Sequence, residues 1–596
     1  MGRVWSRKRE DHSGMVTRAT PARARSTADP SGTDGPPGRH AWAPTWASRA
    51  VALVGLVSII SALRPGLTRR LSLLTELIPA YGPEAAQAAT VAAGVMLLML
   101  AGGLRRRKRR AWALAIALAA ATVVLHLLKG LDVEEAVLTG ALLALLVWTR
   151  DAFTGRPDPR SRQHTVAVFF GSWAVATAVG LAVVLADPDA EIGSPGVRKL
   201  LEHVVLGLVG VEGPVRFHSS ERAGEVSVAL ALLGGVVLAL TLASLLRPAG
   251  GPRPLDADDE TAVRDLLARP GHQDSLGYFS LRRDKSVVFS PSGKAAVTYR
   301  VIGGVSLAAG DPLGDPEAWP GAIDAWLGEA RRYAWVPAVL GASEQAADAY
   351  HRSGLDALEL GDEAIVHAED FTLEGRAMRT VRQAVNRACR QGITVEVSMA
   401  GELRADELSE IVHAADDWRG TATERGFAMA LGRLGDPTDH DCRVVRARDA
   451  DGTLVGLLHL VPWGRDGLSL DLMRRDPAAD NGVVELLIAE LVADCKRHGI
   501  TRISLNFAVF RAVFERGGRL GAGPVLRLWR RCLLGASHFW QIESLYRANA
   551  KYRPTWEPRF LCFPTARDLA RITVAALEAE AFIVLPRVLR RRPEWD

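Results

Sequence analysis

The chain has 596 residues, 48% of them hydrophobic and 23% charged, with a formal net charge of +6 and an isoelectric point near 9.2. Such a length excludes a single core and predicts two or three domains, and the positive balance suits anionic lipid or nucleic acid without choosing between them. The cysteines Cys389, Cys442, Cys495, Cys532 and Cys562 lie far apart and form no CxxC pair, which argues against a disulfide framework or a zinc site and points to a reducing compartment.

Residues 1–45 are rich in Arg, Pro, Gly, Ser and Thr, lack apolar periodicity, and read as a disordered, basic cytosolic tail. The first apolar run comes too late for a secretory signal peptide and has no small-residue cleavage pattern. Apolar runs follow at Trp46–Leu63, Ala85–Leu104, Ala111–Leu128, Val133–Trp148, Thr165–Ala186 and Val226–Leu246. A spanning helix needs about 17–25 mostly apolar residues, so these runs predict an α-helical transmembrane bundle of about six helices over 46–248. The unbroken cationic link Arg105–Arg110 stays inside. Counted outward from it, Arg150, Arg156, Arg160 and Arg162 also fall inside, and Asp132–Glu135 falls outside. This alternation places both termini in the cytoplasm of a multi-pass plasma-membrane protein. His126, near the end of one run, is the main candidate for an intramembrane ionisable residue and reads as a packing or interfacial histidine, so no chemistry is assigned to this half.

The Pro/Gly stretch Arg247–Pro254 is a linker, and a new domain begins near Leu255. Strands are predicted at Val287–Ser290, Ala295–Val301 and Val305–Ala309, then a helix Pro316–Tyr333, a strand Trp335–Gly341, a helix Ser343–Ser353 and a strand Asp356–Val366. A second round resembles the first: helix Asp406–Trp418, hairpin Arg443–Arg448/Leu454–Val461 around Asp451-Gly452, strand Leu468–Leu472, helix Val483–Arg497, strand Arg502–Asn506 and helix His538–Lys551. Two such rounds predict a pair of similar α/β lobes, with a site between them or at the mouth of one.

Five segments then narrow the reading. Gly361-Asp-Glu-Ala-Ile-Val366, Phe371-Thr-Leu-Glu-Gly375, Arg382-Gln-Ala-Val-Asn-Arg387, Asp471-Leu-Met-Arg474 and Lys551-Tyr-Arg-Pro-Thr-Trp-Glu-Pro-Arg-Phe560 stand in this order. They resemble motifs of the phosphatidylglycerol lysyltransferases, also called the multiple peptide resistance factor family. The resemblance covers roughly Leu255 to Ala581. The arrangement is also similar to the membrane and transferase part of the actinobacterial fusion with a lysyl-tRNA synthetase; with the chain ending at Asp596, a separate synthetase is expected.

The resemblance implies a membrane-bound, tandem acetyltransferase-like (GNAT-type) fold over residues 255–590. It implies transfer of an amino acid, lysine by the family's default, from aminoacyl-tRNA to the glycerol hydroxyl of phosphatidylglycerol. The product would lower the negative charge of the membrane and weaken adsorption of cationic peptides. Relatives with full flippase bundles have more membrane helices than this chain shows, so lipid translocation is not expected. An aminoacyl ester is already activated, so neither metal nor cofactor is expected; the attacking hydroxyl must lose a proton and the developing oxyanion must be stabilised.

By resemblance Asp471, Arg474 and Lys551 are catalytic candidates. Asp471 and Arg474 end a predicted strand, where α/β folds place ligands. Asp471 would bind the substrate amine or help deprotonate the hydroxyl, Arg474 would grip a phosphate or the ester carbonyl, and Lys551 would contact a phosphate. The structural alternatives are an i,i+3 ion pair for the first two and helix capping for Lys551. Glu363, Glu424 and Asn506 are substrate-binding candidates, the two acids each taking one ammonium group of lysine; solvated loop charge is the alternative for both. On the predicted helix Gly375–Gln391, Arg376, Arg379, Arg387 and Arg390 fall within ~80° of one another and Met378, Val381, Val385 and Ala388 on the opposite side. An all-positive face fits a polyanion, either the tRNA backbone or the anionic inner leaflet. The closing run Arg587, Arg590, Arg591 and Arg592 reads as a basic tail near the membrane.

Two other functions compete. A membrane-tethered, acyl-CoA-dependent N-acyltransferase needs a Gly-rich turn opening a helix, and Asp476-Pro-Ala-Ala-Asp-Asn-Gly482 offers one glycine and two carboxylates. A non-catalytic membrane scaffold with a decayed transferase domain is disfavoured by the matching Asp471, Arg474 and Lys551. Oligomeric state leaves no mark in the sequence.

Overall fold

Each apolar run forms a helix in the computed structural model: α1 (Ala43–Leu63), α2 (Pro83–Arg105), α3 (Arg109–Lys129), α4 (Val133–Trp148), α5 (Ser161–Leu185) and α7 (Ser220–Leu245). Between the last two lies α6 (Val197–Leu208), which the hydropathy reading passes over because it is short and polar on one face while burying Leu200, Val204 and Leu208 on the other. The structure describes residues 42–63, 83–129, 133–153, 155, 161–186, 195–246, 251–269, 274–420, 423–424, 426–479, 482–509 and 548–583, all in one unit that begins at Arg39. Nearly all of the expected N-terminal tail, the start of the 247–254 linker, the closing Arg587–Arg592 run and most of the helix expected at His538–Lys551 lie outside these residues.

Small residues let the helices approach closely. A Cβ on Gly180 of α5 would meet Leu230 and Val204, and one on Gly234 of α7 would come 1.8 Å from the Leu208 carbonyl oxygen. On the outside, Trp148, Phe170, Val175, Val236 and Leu238 stay exposed, the arrangement expected of helices facing lipid. Among the described residues two segments, His164–Leu185 and Ser220–Leu245, are long and apolar enough to cross a membrane, fewer than the six the apolar runs suggest.

After α8 (Ala257–Leu267), which Asp256 caps by accepting the Asp259 amide at 2.9 Å, the chain builds one 12-stranded sheet. The first round supplies β1 (Ser286–Phe289), β2 (Ala295–Ile302), β3 (Val305–Ala309), β4 (Leu313–Gly314), α9 (Trp319–Tyr333), β5 (Val336–Ala342), α10 (Glu344–Arg352) and β6 (Asp356–His367). The second supplies α11 (Arg379–Arg390), β7 (Thr394–Met399), α12 (Ala405–Arg419), β8 (Arg443–Arg448), β9 (Leu454–Trp463), β10 (Gly467–Arg475), α13 (Val483–Arg497), β11 (Arg502–Val509), β12 (Thr555–Phe563) and α14 (Leu569–Ala579).

In each round one helix carries a crossover between parallel strands, α9 from β3 to β5 and α13 from β10 to β11. The closing strands then trade places. β6 of the first round pairs with β11, β12 of the second pairs with β5, and β6 and β12 pair with each other at the centre. The two halves therefore cannot part without breaking a sheet. Trp326 and Tyr350 centre the core under α9 and α10. Val381, Val385 and Ala388 of α11 pack with Leu487 of α13 against Leu458, while α12 covers the opposite face, Ile411 meeting Val444 and Leu457. The helix expected from Gly375 starts later, at Arg379, because Gly375 has φ +81° and Arg382 ties the entry turn down through the Leu373 and Gly375 carbonyls at 2.5 and 3.2 Å.

Candidate active site

β10 and β11 pair only over Gly467–Ser469 and Arg502–Ser504, then each runs on without the other. Both strands lose register where they part. β10 bulges against β9 at Asp471, between Leu470 and Leu472, and β11 slips against β6 between Ser504 and Phe507, where Asn506 has φ +80°. A bulge re-aims side chains, and asparagine tolerates positive φ better than most residues. The outcome is a split at the carboxyl ends of two parallel strands, the usual place for a ligand in an α/β fold.

The closed end of the split is a buried polar cluster. Glu363 Oε1 accepts from Ser504 Oγ and, at 2.5 Å, from Ser275 Oγ. Its Oε2 accepts from Arg559 Nε at 2.8 Å and Nη2 at 2.5 Å, and Arg559 Nη1 reaches Asp274 Oδ1 at 2.7 Å. Asp274 also accepts the Asp311 amide at 2.8 Å, and Asp311 accepts the amide and hydroxyl of Ser343 at 2.8 and 2.6 Å. Burial opposes the Arg559 charge, but Glu363 and Asp274 more than offset it, and the guanidinium is held charged more firmly than usual. Burial, then Asp274, push the Asp311 carboxyl up to about 7. Three carboxyl groups thus face one guanidinium.

One wall is the loop Glu424–Leu431, held from below by β10. Asp471 Oδ1 accepts the Leu431 amide at 2.6 Å and Oδ2 pairs with His459 Nδ1 at 2.7 Å. Both side chains are buried. Burial disfavours the imidazolium, yet the hydrogen bonds to Asp471 and Cys442 prevail and raise His459 to about 10. Arg474 donates to both oxygens of Glu424, at 2.8 and 2.6 Å, and to the Ala415 carbonyl at 2.9 Å, while Arg419 grips Glu424 from the other side at 3.0 Å. Arg282 donates to the Gly426 and Ala430 carbonyls, and Glu580 accepts the Phe427 and Ala428 amides.

The other wall is β11, with Asn549 and Lys551 beside it. Asn549 donates to the Leu505 carbonyl at 3.0 Å, a group past the end of the β10 pairing. Two residues on, Lys551 meets Glu485, in the first turn of α13, at 2.5 Å.

The sequence candidates therefore fall into four places, and this corrects several expectations. Asp471 and Arg474 do not pair with each other; each is committed to the 424–431 loop. Lys551 does not join them, because its partner Glu485 lies on α13, which covers the sheet face opposite α12. Glu363 is not a solvated loop charge but fully buried, and it stands apart from Glu424, which two arginines hold at the surface, so the two acids do not form one clamp. Arg376, Arg379, Arg387 and Arg390 are all exposed, with Met378, Val381, Val385 and Ala388 buried behind them, and none of the four arginines has an ion-pair partner among the described residues. Asp274, Asp311, His459, Glu485 and Arg559 escape the motif reading; only Arg559 lay within a quoted segment, Lys551–Phe560. In the turn opening α13, Asp476 Oδ1 accepts the Ala478 amide at 2.8 Å, so a carboxylate takes an N–H that a pyrophosphate cradle would need.

Comparison with known proteins finds matches for both regions of the chain. Residues 39–246 match the transmembrane region of lysyl-tRNA synthetase, and residues 264–563 match the C-terminal region of phosphatidylglycerol lysyltransferase. The lysylphosphatidylglycerol biosynthesis bifunctional protein LysX of Rhodococcus opacus is 48% identical over 452 residues, 76% of this chain and 40% of that protein. LysX of Mycolicibacterium vanbaalenii is 43% identical over 561 residues, 92% of this chain and 51% of that protein. The chain thus spans about half, or less, of the length of these relatives. The structure of L-PGS from Bacillus licheniformis superposes with a TM-score of 0.49 at 22% identity, covering 56% of this chain and 99% of that one. The N-terminal match and the exposed apolar helix faces make this a membrane protein. With the C-terminal match extending over just over half of its residues, the chain belongs to the phosphatidylglycerol lysyltransferase family.

Proposed function

We propose that the chain transfers lysine from the 3′ ester of an aminoacyl-tRNA to a glycerol hydroxyl of phosphatidylglycerol. The observation that carries this reading is the acid excess at the closed end of the β10/β11 split, where, among the described residues, Asp274, Asp311 and Glu363 face the single guanidinium of Arg559. A lysyl group brings two ammonium charges, and an unbalanced buried carboxyl cluster favours such a cation. Beyond Ser469 and Ser504 the strand edges facing the split are free of each other, so main-chain N–H groups can donate to the oxyanion that forms when the hydroxyl attacks. Asp471 and Arg474 act by holding the 424–431 wall, and Lys551 with Glu485 borders the opposite rim. The bare face of α11 takes the tRNA backbone.

The two halves of the sheet are the two acetyltransferase-like lobes, occupying residues 255–590 and sharing their closing strands. The helical region 46–248 crosses the membrane several times with both termini in the cytoplasm. The cationic link Arg105–Arg110 supports that orientation: it lies against the soluble domain, where a Cβ on Gly155, bridged to Lys108, would stand 3.2 Å from the Ala334 side chain, so link and domain share one side. A lysyl-tRNA synthetase activity supplies the donor.

The test is reconstitution of the full chain in phosphatidylglycerol vesicles with radiolabelled lysyl-tRNA. Label should enter the lipid fraction, and RNase treatment of the donor should stop it. Labelling that survives RNase, or needs acyl-CoA, overturns the proposal.

A further inference from the structure

Three cations converge where the helical region meets the soluble domain. Arg106 and Lys108 belong to the link between α2 and α3, and Arg571 lies in the first turn of α14. The link is fixed there by its backbone: the Gly155 amide donates to the Arg107 carbonyl at 2.9 Å and the Arg109 amide to the Gly155 carbonyl at 3.3 Å. Lys108 is buried and its ammonium donates to the Leu246 carbonyl, closing the end of α7. Arg571 spends Nε and Nη2 on the Gly303 carbonyl, at 3.1 and 2.5 Å, while its buried Nη1 has no hydrogen-bond partner among the described residues.

The electrostatics of this corner are unbalanced. Burial, then Arg106 and Arg571, bring Lys108 down to about 7. Burial and then Arg106 lower Arg571 to about 10, with Asp568 opposing. Burial lowers Arg106 as well, again against Asp568. Like charges held together and partly desolvated are costly unless an anion joins them. Their depth is set by the chain, since α2 ends at Arg105, α3 begins at Arg109 and α7 ends at Leu245. Helix ends of a membrane region lie at the head-group level.

We propose that Arg106, Lys108 and Arg571 bind the phosphate of an anionic phospholipid head group at the junction of the helices and the transferase domain. A phosphodiester carries one negative charge and two free oxygens, which suit the unpartnered Nη1 of Arg571 and the ammonium of Lys108. The site rests on the transferase reading only in making that lipid the acceptor waiting at the domain's edge.

The experiment is equilibrium binding to the full chain in zwitterionic micelles, without tRNA, of dioctanoyl phosphatidylglycerol, dioctanoyl phosphatidylcholine and inorganic phosphate. Phosphatidylglycerol should bind saturably and phosphatidylcholine at least about tenfold more weakly, with Arg571→Gln and Lys108→Gln each weakening phosphatidylglycerol by about tenfold. Wild-type affinity in both variants overturns the site, as does equal binding of phosphatidylcholine. Displacement of the lipid by equimolar inorganic phosphate overturns the lipid assignment in favour of a plain anion site. Should the glutamine variants fail to elute as folded protein, Asp568→Asn decides: removing the opposing acid should tighten phosphatidylglycerol binding severalfold, and no change overturns the proposal. Lost lipid binding with intact transfer sinks this site alone, whereas intact binding without transfer sinks the proposed activity alone.

Discussion

Asp471 and Arg474, three residues apart on β10, hold the two ends of one loop: Asp471 takes the Leu431 amide at 2.6 Å and Arg474 grips both oxygens of Glu424. Strand alternation would send residues at this spacing to opposite faces. The bulge at Asp471 cancels that alternation, so both side chains serve the same wall of the split. The Asp-Leu-Met-Arg segment is thereby a device for shaping the site, with His459 as the buried counter-charge.

Replacing Asp471 by Asn leaves the His459 imidazolium without its carboxylate in a fully buried place. Breaking one side of a buried pair typically costs about 3–5 kcal/mol, and the loop loses a strong acceptor as well. Urea unfolding of the Asp471→Asn transferase domain within the full chain should show a loss of that order, together with loss of lipid labelling. Arg474→Lys keeps the charge but not the two-pronged grip; it should cut transfer by about tenfold while changing stability by less than about 1 kcal/mol.

The His459–Asp471 pair also sets a pH dependence. His459 titrates near 10 in the folded chain against about 6.5 for a free histidine. A group whose folded value is raised contributes stability that is complete below the unfolded value and is lost as pH rises through the folded one. Wild-type stability should therefore fall between about pH 6.5 and pH 10, and the slope over that window should flatten in His459→Gln. An unchanged slope would show that the imidazolium is not what couples the pair.

Much of this architecture is legible in the residues, and the exceptions have physical causes. Val483–Arg497 is a helix as read, and the burial of Val381, Val385 and Ala388 under an arginine face follows from 3.6-residue periodicity. β7 escapes notice because its burial is partial and its residues mix polar and apolar, Thr394 to Met399. β12 escapes because Pro558 sits within it, a residue that argues against an inner strand. The exchange of β6 and β12 is a choice of partner, which local pattern does not encode. The acidic floor is invisible for the same reason: Asp274, Asp311, Glu363 and Arg559 are up to 285 residues apart and meet only through that exchange. His459 reads as one more residue of an apolar strand until the bulge brings Asp471 to it.

The face of α11 should reveal itself by salt. Arg376, Arg379, Arg387 and Arg390 are exposed without ion-pair partners among the described residues, so substitution to Gln should leave the fold intact. Each removed phosphate contact should weaken tRNA binding uniformly and reduce the slope of log affinity against log salt by about 1. Filter binding of the four single variants and the quadruple variant, at several salt concentrations, measures this. Slopes identical to wild type in the quadruple variant would remove α11 from the tRNA interface.

Asp311 offers the sharpest separation of stability from function. Its carboxyl is raised to about 7 by burial and by Asp274, so the folded state favours the neutral form that the unfolded chain gives up near pH 4. The sign is then opposite to that of a salt-bridged acid: this residue's contribution is most favourable below about pH 4 and is lost as pH rises through 7. Asp311→Asn keeps an acceptor for the Ser343 amide and a neutral shape, and it should stabilise the chain at pH 8 by something on the order of 1–3 kcal/mol. The same change removes one negative charge from the floor proposed to receive the lysyl group. The apparent KM for lysyl-tRNA should rise severalfold at pH 8, and the dependence of wild-type KM on pH around 7 should vanish in the variant. A variant that is both more stable and unimpaired for lysyl-tRNA would show that the acid excess does not recognise the substrate, since charge that serves binding is the charge the fold can least easily tolerate.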